Sequence, residues 1–117
     1  MRTIATVALV LSLLLAATQS RAHHGWSGYD NSNELTLTGV IRESGYEHPH
    51  GHLRLEAPGK TWTVVLAPPS RMERRGLTAK ELSVGTEATV VGYPNRTDAA
   101  EMRAERITIG TKTVELR

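Results

Sequence analysis

The chain predicts a mainly β fold, a small and partly open barrel with one short helix between its third and fourth strands. Three observations carry that reading. Apolar and polar residues alternate with period two over several short stretches. Turns bearing Gly and Pro separate those stretches. The segment after Pro68-Pro69 supplies the helix signals. Strand, strand, strand, short helix, strand, strand is the order of an oligonucleotide/oligosaccharide-binding (OB-fold-like) barrel. A small β-sandwich is the alternative.

The first strand sets Leu35, Leu37, Gly39 and Ile41 against Thr36, Thr38, Val40 and Arg42. Ser44 to Gly51 is a loop, marked by Gly45, Pro49 and Gly51. A second strand turns Leu53, Leu55 and Ala57 inward and Arg54 and Glu56 outward. Pro58-Gly59-Lys60 makes a hairpin turn, and the return strand places Trp62, Val64 and Leu66 inward. Pro68-Pro69 ends this part of the sheet. Ser70 and Glu73 have capping-box spacing, which predicts a short helix from Arg71 to Arg75 that Gly76 terminates. Thr78 and Glu81 repeat that spacing ahead of Leu82 and predict one more helical turn. After Gly85 a strand runs from Thr86 to Tyr93, and Pro94 to Ala99 is a loop. Met102 to Ile109 is a further strand, Gly110 turns the chain, and Thr113 to Leu116 closes it. With no phenylalanine, the core must come mainly from Val, Leu, Ile and Ala, and Met72 and Met102 read as packing residues. Arg71, Arg74 and Arg75 read as the solvated face of the short helix.

Ahead of this domain lies a secretory signal. Arg2 gives a positive start, Ile4 to Ala17 is almost wholly apolar, and Ser20-Arg21-Ala22 offers small residues at a cleavage site. The apolar run of 14 residues falls short of the ~20 that a spanning helix needs, so a retained anchor is the weaker reading. The expected organisation is a signal peptide at 1–22, an extended N-terminal arm at 23–33 and one barrel-like domain at 34–117. The mature chain would be periplasmic or secreted, with no membrane span after cleavage. Arg2 and Arg21 leave with the signal, so the mature part holds twelve basic and twelve acidic residues. The basic character of the whole chain is therefore no sign of nucleic-acid affinity. The absence of cysteine excludes an acylated cysteine anchor, disulfides and thiolate metal sites.

All five histidines fall in two clusters, His23-His24 and His48-Pro49-His50-Gly51-His52. Cleavage after Ala22 would leave a free amine on His23. That amine and the Nδ1 of the same residue can close a chelate ring on one metal ion. An α-amine titrates near ~7.7 and an imidazole near ~6.5, so both are available as neutral ligands around neutral pH. Residues two apart in an extended chain face one way, so His48, His50 and His52 could project from one side of their loop. His50 is the first candidate to join the amino terminus; His24, His48 and His52 are secondary candidates. A bland reading stands beside this one, a polar tail and a polar loop. It is favoured for any single histidine of the loop and weaker for the group. A nitrogen-rich donor set favours copper(II) by the Irving–Williams order, while zinc and nickel also accept imidazole. Asp30 and Glu47 are available as partners that orient an imidazole.

Several landmarks occur in order along the chain. They are Ala22-His23-His24-Gly25-Trp26, Leu37-Thr38-Gly39-Val40, His48-Pro49-His50, the Trp62 strand and Pro69-Ser70-Arg71-Met72. Gly76-Leu77, Val84-Gly85 and Gly92-Tyr93-Pro94 follow. On these the chain resembles a family of small exported bacterial proteins of uncharacterised function. The resemblance covers essentially the whole mature chain and implies export and a barrel-like β domain, with no activity attached. It also implies an asparagine just before Pro49, where this chain has His48.

Enzyme signatures are missing: no Gly-x-Ser-x-Gly elbow, no His-Glu-x-x-His helix and no Gly-rich phosphate loop. Single-strand nucleic-acid binders use a basic groove and stacked aromatics, which a neutral chain with five aromatic residues does not offer. The expected function is a non-enzymatic, exported metal-binding protein that captures copper(II) or hands it over. The alternative is a non-enzymatic barrel module that binds another envelope protein or a small ligand, with Trp26 and Trp62 prominent.

Overall fold

The computed structural model describes residues 25–117. Six strands form one sheet: β1 (Leu35–Gly45), β2 (His52–Ala57), β3 (Lys60–Val65), β4 (Glu87–Pro94), β5 (Glu101–Ile109) and β6 (Lys112–Glu115). They run in the order β3-β2-β1-β4-β5-β6, and β3 also pairs with β5 in parallel. That last pairing closes the first five strands into a barrel, while β6 hangs antiparallel on β5 outside the ring. A helix, α1 (Pro69–Arg74), and a 3-10 turn (Ala79–Leu82) bridge β3 and β4. The expected small barrel is what forms, not the sandwich.

Alternation along each strand builds the interior. Leu53, Leu55, Val64, Val90, Met102 and Ile107 are wholly buried, and Met72, Leu77 and Leu82 pack onto them from the helical bridge. Both methionines are thus packing residues. Trp62 is only partly buried, packed against the edge of this cluster. A five-stranded ring needs sharp curvature, and the register shifts that leave an extra residue at Arg42 on β1 and at Glu105 on β5 supply it. At Gly92 a Cβ would sit 2.0 Å from the Arg103 carbonyl oxygen, so glycine is what lets β4 and β5 approach there.

The bridge differs in one respect from expectation. Pro68 is the N-cap of α1, Pro69 stands at the helix start, and Ser70 makes no capping bond. A proline at the first helical position has its φ preset and no N–H to satisfy. The helix therefore starts at Pro69, before the Ser70–Glu73 pair can act as a cap. The Thr78–Glu81 capping box does form, with both reciprocal bonds present. Gly76 ends α1 at φ +82°, and the Leu77 N–H reaches back to Met72 O at 2.8 Å while the Gly76 N–H reaches Glu73 O at 3.0 Å. Arg71 of α1 and Arg75 at its C-cap are more than a solvated face. Arg71 donates to Leu116 O (3.0 Å), and Arg75 to Glu115 O (2.7 Å) and Arg117 O (3.1 Å), which pins the C-terminal strand against the helix.

Candidate functional site

A cavity of about 310 Å³ lies on the outside of the barrel, over the seam where β3 meets β5. Its floor is Val65 and Arg103, which are register partners across that seam. Their neighbours Val64 and Met102 point the other way, into the core, so Val65 and Arg103 must face outward. His50 from the β1–β2 loop and Asn95 from the β4–β5 loop form walls, and Gly25, Gly28 and Tyr29 complete them.

The segment expected to be an extended arm is docked over this seam from Gly25 onward. Trp26–Gly28 is a 3-10 turn, and Tyr29 is buried and bridges Asn95. Asp30 N–H donates to Pro94 O (2.9 Å), and Arg96 N–H donates to Gly28 O (2.9 Å). The Tyr29 hydroxyl donates to Glu101 Oε2 (2.9 Å), and Asn95 Nδ2 donates to the same oxygen (2.6 Å). Trp26 meets Tyr29 and Tyr93 edge-on, and the guanidinium carbons of Arg103 and Arg117 lie 4.4 and 4.6 Å from the centre of its ring. Two aromatics in an otherwise Gly/Ser/Asn/Asp-rich stretch are the reason: their apolar area is best covered against the barrel wall.

Of the histidines among the described residues, His50 is the one that lines the cavity. Gly51, next to it, is fastened on both sides: its N–H donates to Ala67 O (2.9 Å) and its carbonyl accepts from Leu66 N–H (2.8 Å). Burial, then the positive charges of Arg103 and Arg71, hold the His50 imidazole below its ordinary pKa of 6.5, so it is neutral and free to act as a ligand at neutral pH. His48 is exposed, on the near side of a cis bond to Pro49. His52 begins β2 opposite Gly45, and its ring occupies the space a Cβ on Gly45 would need. Among the described residues no group of three or more His, Asp or Glu side chains converges to hold a metal. His23 and His24 lie outside the described residues. Gly25 follows His23 by two positions, a reach of at most ~7 Å along the chain, and Gly25 and His50 line the same cavity.

Sequence reasoning missed Arg103, Tyr29, Asn95 and Glu101. Alternation reads Arg103 as a solvent-facing strand residue, and nothing local tells that Trp26 will cover it. Burial pushes the Tyr29 phenol up to about 12, with the Glu101 carboxylate adding to the shift. Burial also draws the Arg103 guanidinium below its ordinary value.

A model for a family of unknown function (DUF6152) matches residues 10–103. No curated protein matches the chain. Among solved structures the chain is similar to part of one described as the crystal structure of a complex of TiaS with an isoleucine tRNA and ATP. That likeness has a TM-score of 0.51 and 20% identity, and covers 76% of this chain and 20% of the other. At that identity it shows the fold alone, and this chain spans only about a fifth of its counterpart's length.

Proposed function

This chain belongs to that family of unknown function, DUF6152, and we propose that it is an exported, periplasmic, non-enzymatic protein that captures copper(II) and hands it over. The observation that carries this reading is that Gly25, two residues from His23, and His50 line one cavity. The donor set fits the metal. His23, once freed by processing, would give its amine and Nδ1 as a chelate, and His50 would give a third nitrogen. Bound copper would be cargo, and the residues named here would hold it. A site half carried on the N-terminal segment and half on the barrel suits uptake and release. Zinc and nickel could use the same donors; copper is preferred on affinity. His24, His48 and His52 are the reserve ligands, and a receiving envelope protein is the natural second partner.

The test is copper(II) titration of the chain processed to His23, with and without His50→Ala. The expected result is one equivalent bound by the wild type and a loss of about tenfold or more in the variant, ~1.4 kcal/mol. Unchanged affinity in His50→Ala would remove the link between the two clusters.

A second reading has its own observation. A cavity of about 500 Å³ beside Trp62 and Lys60 lies at the β2–β3 hairpin, with Lys60 Nζ 3.9 Å from the centre of the Trp62 ring. It supports a module that binds a small ligand or an envelope protein there. Trp62→Ala would abolish such binding and leave copper affinity unchanged.

A further inference from the structure

We propose that the cavity over the β3–β5 seam is a binding site for an oxyanionic group, a carboxylate or a phosphate, held by Arg103. A guanidinium carries five N–H donors and no acceptor. Arginine is almost never fully buried unless it is paired. Arg103 breaks that rule: it is only 8% exposed, its Nε is buried without a hydrogen-bond partner, and among the described residues no carboxylate lies within ion-pair distance of it. Its company is the Trp26 ring, which stabilises positive charge but supplies no oxygen acceptor.

One carboxylate of the same strand already has other partners. Glu101, two residues earlier and on the same side of β5, is occupied by the Tyr29 hydroxyl and the Asn95 amide through one oxygen. Arg71 and Arg117 act electrostatically on Arg103 and add to the positive potential. Arg71 spends a hydrogen bond on a backbone carbonyl, which leaves its charge uncompensated by it. Arg117 has Glu105 at 3.6 Å, the long end of ion-pair distance.

An unpaired buried cation lining an open cavity is completed by an anion, and the planar guanidinium fork selects a group with two oxygens in reach. The volume, about 310 Å³, sits at the small end of the range for ligand pockets, which limits the occupant to a small molecule or one end of a larger one. The placement agrees with the fold. The cavity lies between the β1–β2 loop, through His50, and the β4–β5 loop, through Asn95, the loops that barrels of this type use for ligands.

This site does not depend on the copper reading, and its test uses metal-free protein. The processed chain is titrated with inorganic phosphate and, separately, with acetate, against sodium chloride at matched ionic strength. The Nε–Hε resonances of the arginines are followed by NMR. The expected result is a saturable shift of the Arg103 resonance with at least one of the two anions, with Arg42 and Arg96 changing only as they do in chloride. Saturation by phosphate alone identifies a phosphate-bearing ligand, and saturation by acetate alone a carboxylate. Arg103→Gln should weaken binding about tenfold or more, but the wild-type readout stands even if that variant folds poorly. No saturable change at Arg103 with either anion, or a change shared equally by Arg42 and Arg96, overturns the proposal. Such a failure would leave the copper titration of the same protein unaffected.

Discussion

The two faces of the β3–β5 seam differ sharply. Inward, Val64 and Met102 are wholly buried among other apolar side chains, a surface that closes on itself and asks for nothing further. Outward, one residue along, Val65 and Arg103 lie under the docked N-terminal segment, and Arg103 keeps an unpartnered buried Nε. The inner face is built for stability. The outer face gives up stability by burying an unpaired charge, a cost that makes sense where a ligand completes the site. The same contrast separates substitutions that should hurt folding from those that should hurt binding alone.

The largest loss of stability is expected inside. Leu55→Ala removes a fully buried side chain from a closed ring and should cost about 2–5 kcal/mol, read as a lower denaturant midpoint. Gly92→Ala comes next: its new Cβ meets backbone rather than a movable side chain, and about 1–3 kcal/mol of destabilisation follows. Leu55→Ala should leave the anion response of whatever fraction stays folded unchanged, whereas Gly92→Ala, which displaces the Arg103 backbone, should weaken it as well.

On the outer face the effects shrink and change kind. Tyr29→Phe removes the hydroxyl that donates to Glu101 and should cost about 1 kcal/mol. It should also erase a titration: the Tyr29 phenol is held at about 12 against an ordinary 10. The unfolded chain gives up that proton first as pH rises above 10, so the folded state binds more protons in that window. Stability therefore falls as pH climbs from about 10 towards 12. Burial also raises Tyr46, and the hydrogen bond to Glu105 raises Tyr93, so tyrosinate absorbance of the variant should lose the latest-titrating component and keep the other two.

Arg103→Met probes the contrast at its narrowest point. It removes a charge with no ion-pair partner among the described residues and keeps most of the volume, so stability should move by no more than about 1 kcal/mol in either direction, while the anion response disappears. A loss as large as that of Leu55→Ala would mean that Arg103 is a structural cation, and the distinction between the two faces would fall.

How far the sequence could be read follows the same division. The core was legible because it is a local, repeated signal: Leu53, Leu55 and Ala57 on β2, and Val64 and Leu66 after the hairpin, alternate in plain view and all are buried. Local punctuation was legible too, in the Thr78–Glu81 box and the stop at Gly76. Ser70 and Glu73 misled because a proline pair just before them starts the helix by a stronger constraint. The outer site was hard to see because it is assembled from four distant pieces. The N-terminal segment, the β1–β2 loop, the β3–β5 seam and the β4–β5 loop meet only after the barrel closes. His50 was singled out for its chemistry, and it lines the cavity. Arg103 was not singled out, because the lack of an ion pair to it among the described residues is a property of the fold. The grouping of His48, His50 and His52 assumed an extended run, and among the described residues they form no metal-holding group.

The copper reading stands or falls on whether a processed amino terminus and His50 share one site at this cavity. The decisive experiment is copper(II) titration of the protein beginning at His23, followed by electron paramagnetic resonance, beside a form carrying one extra residue before His23. We expect a single one-to-one site with nitrogen hyperfine structure that the added residue destroys. Weak binding at several sites, with spectra indifferent to the extra residue, would refute it.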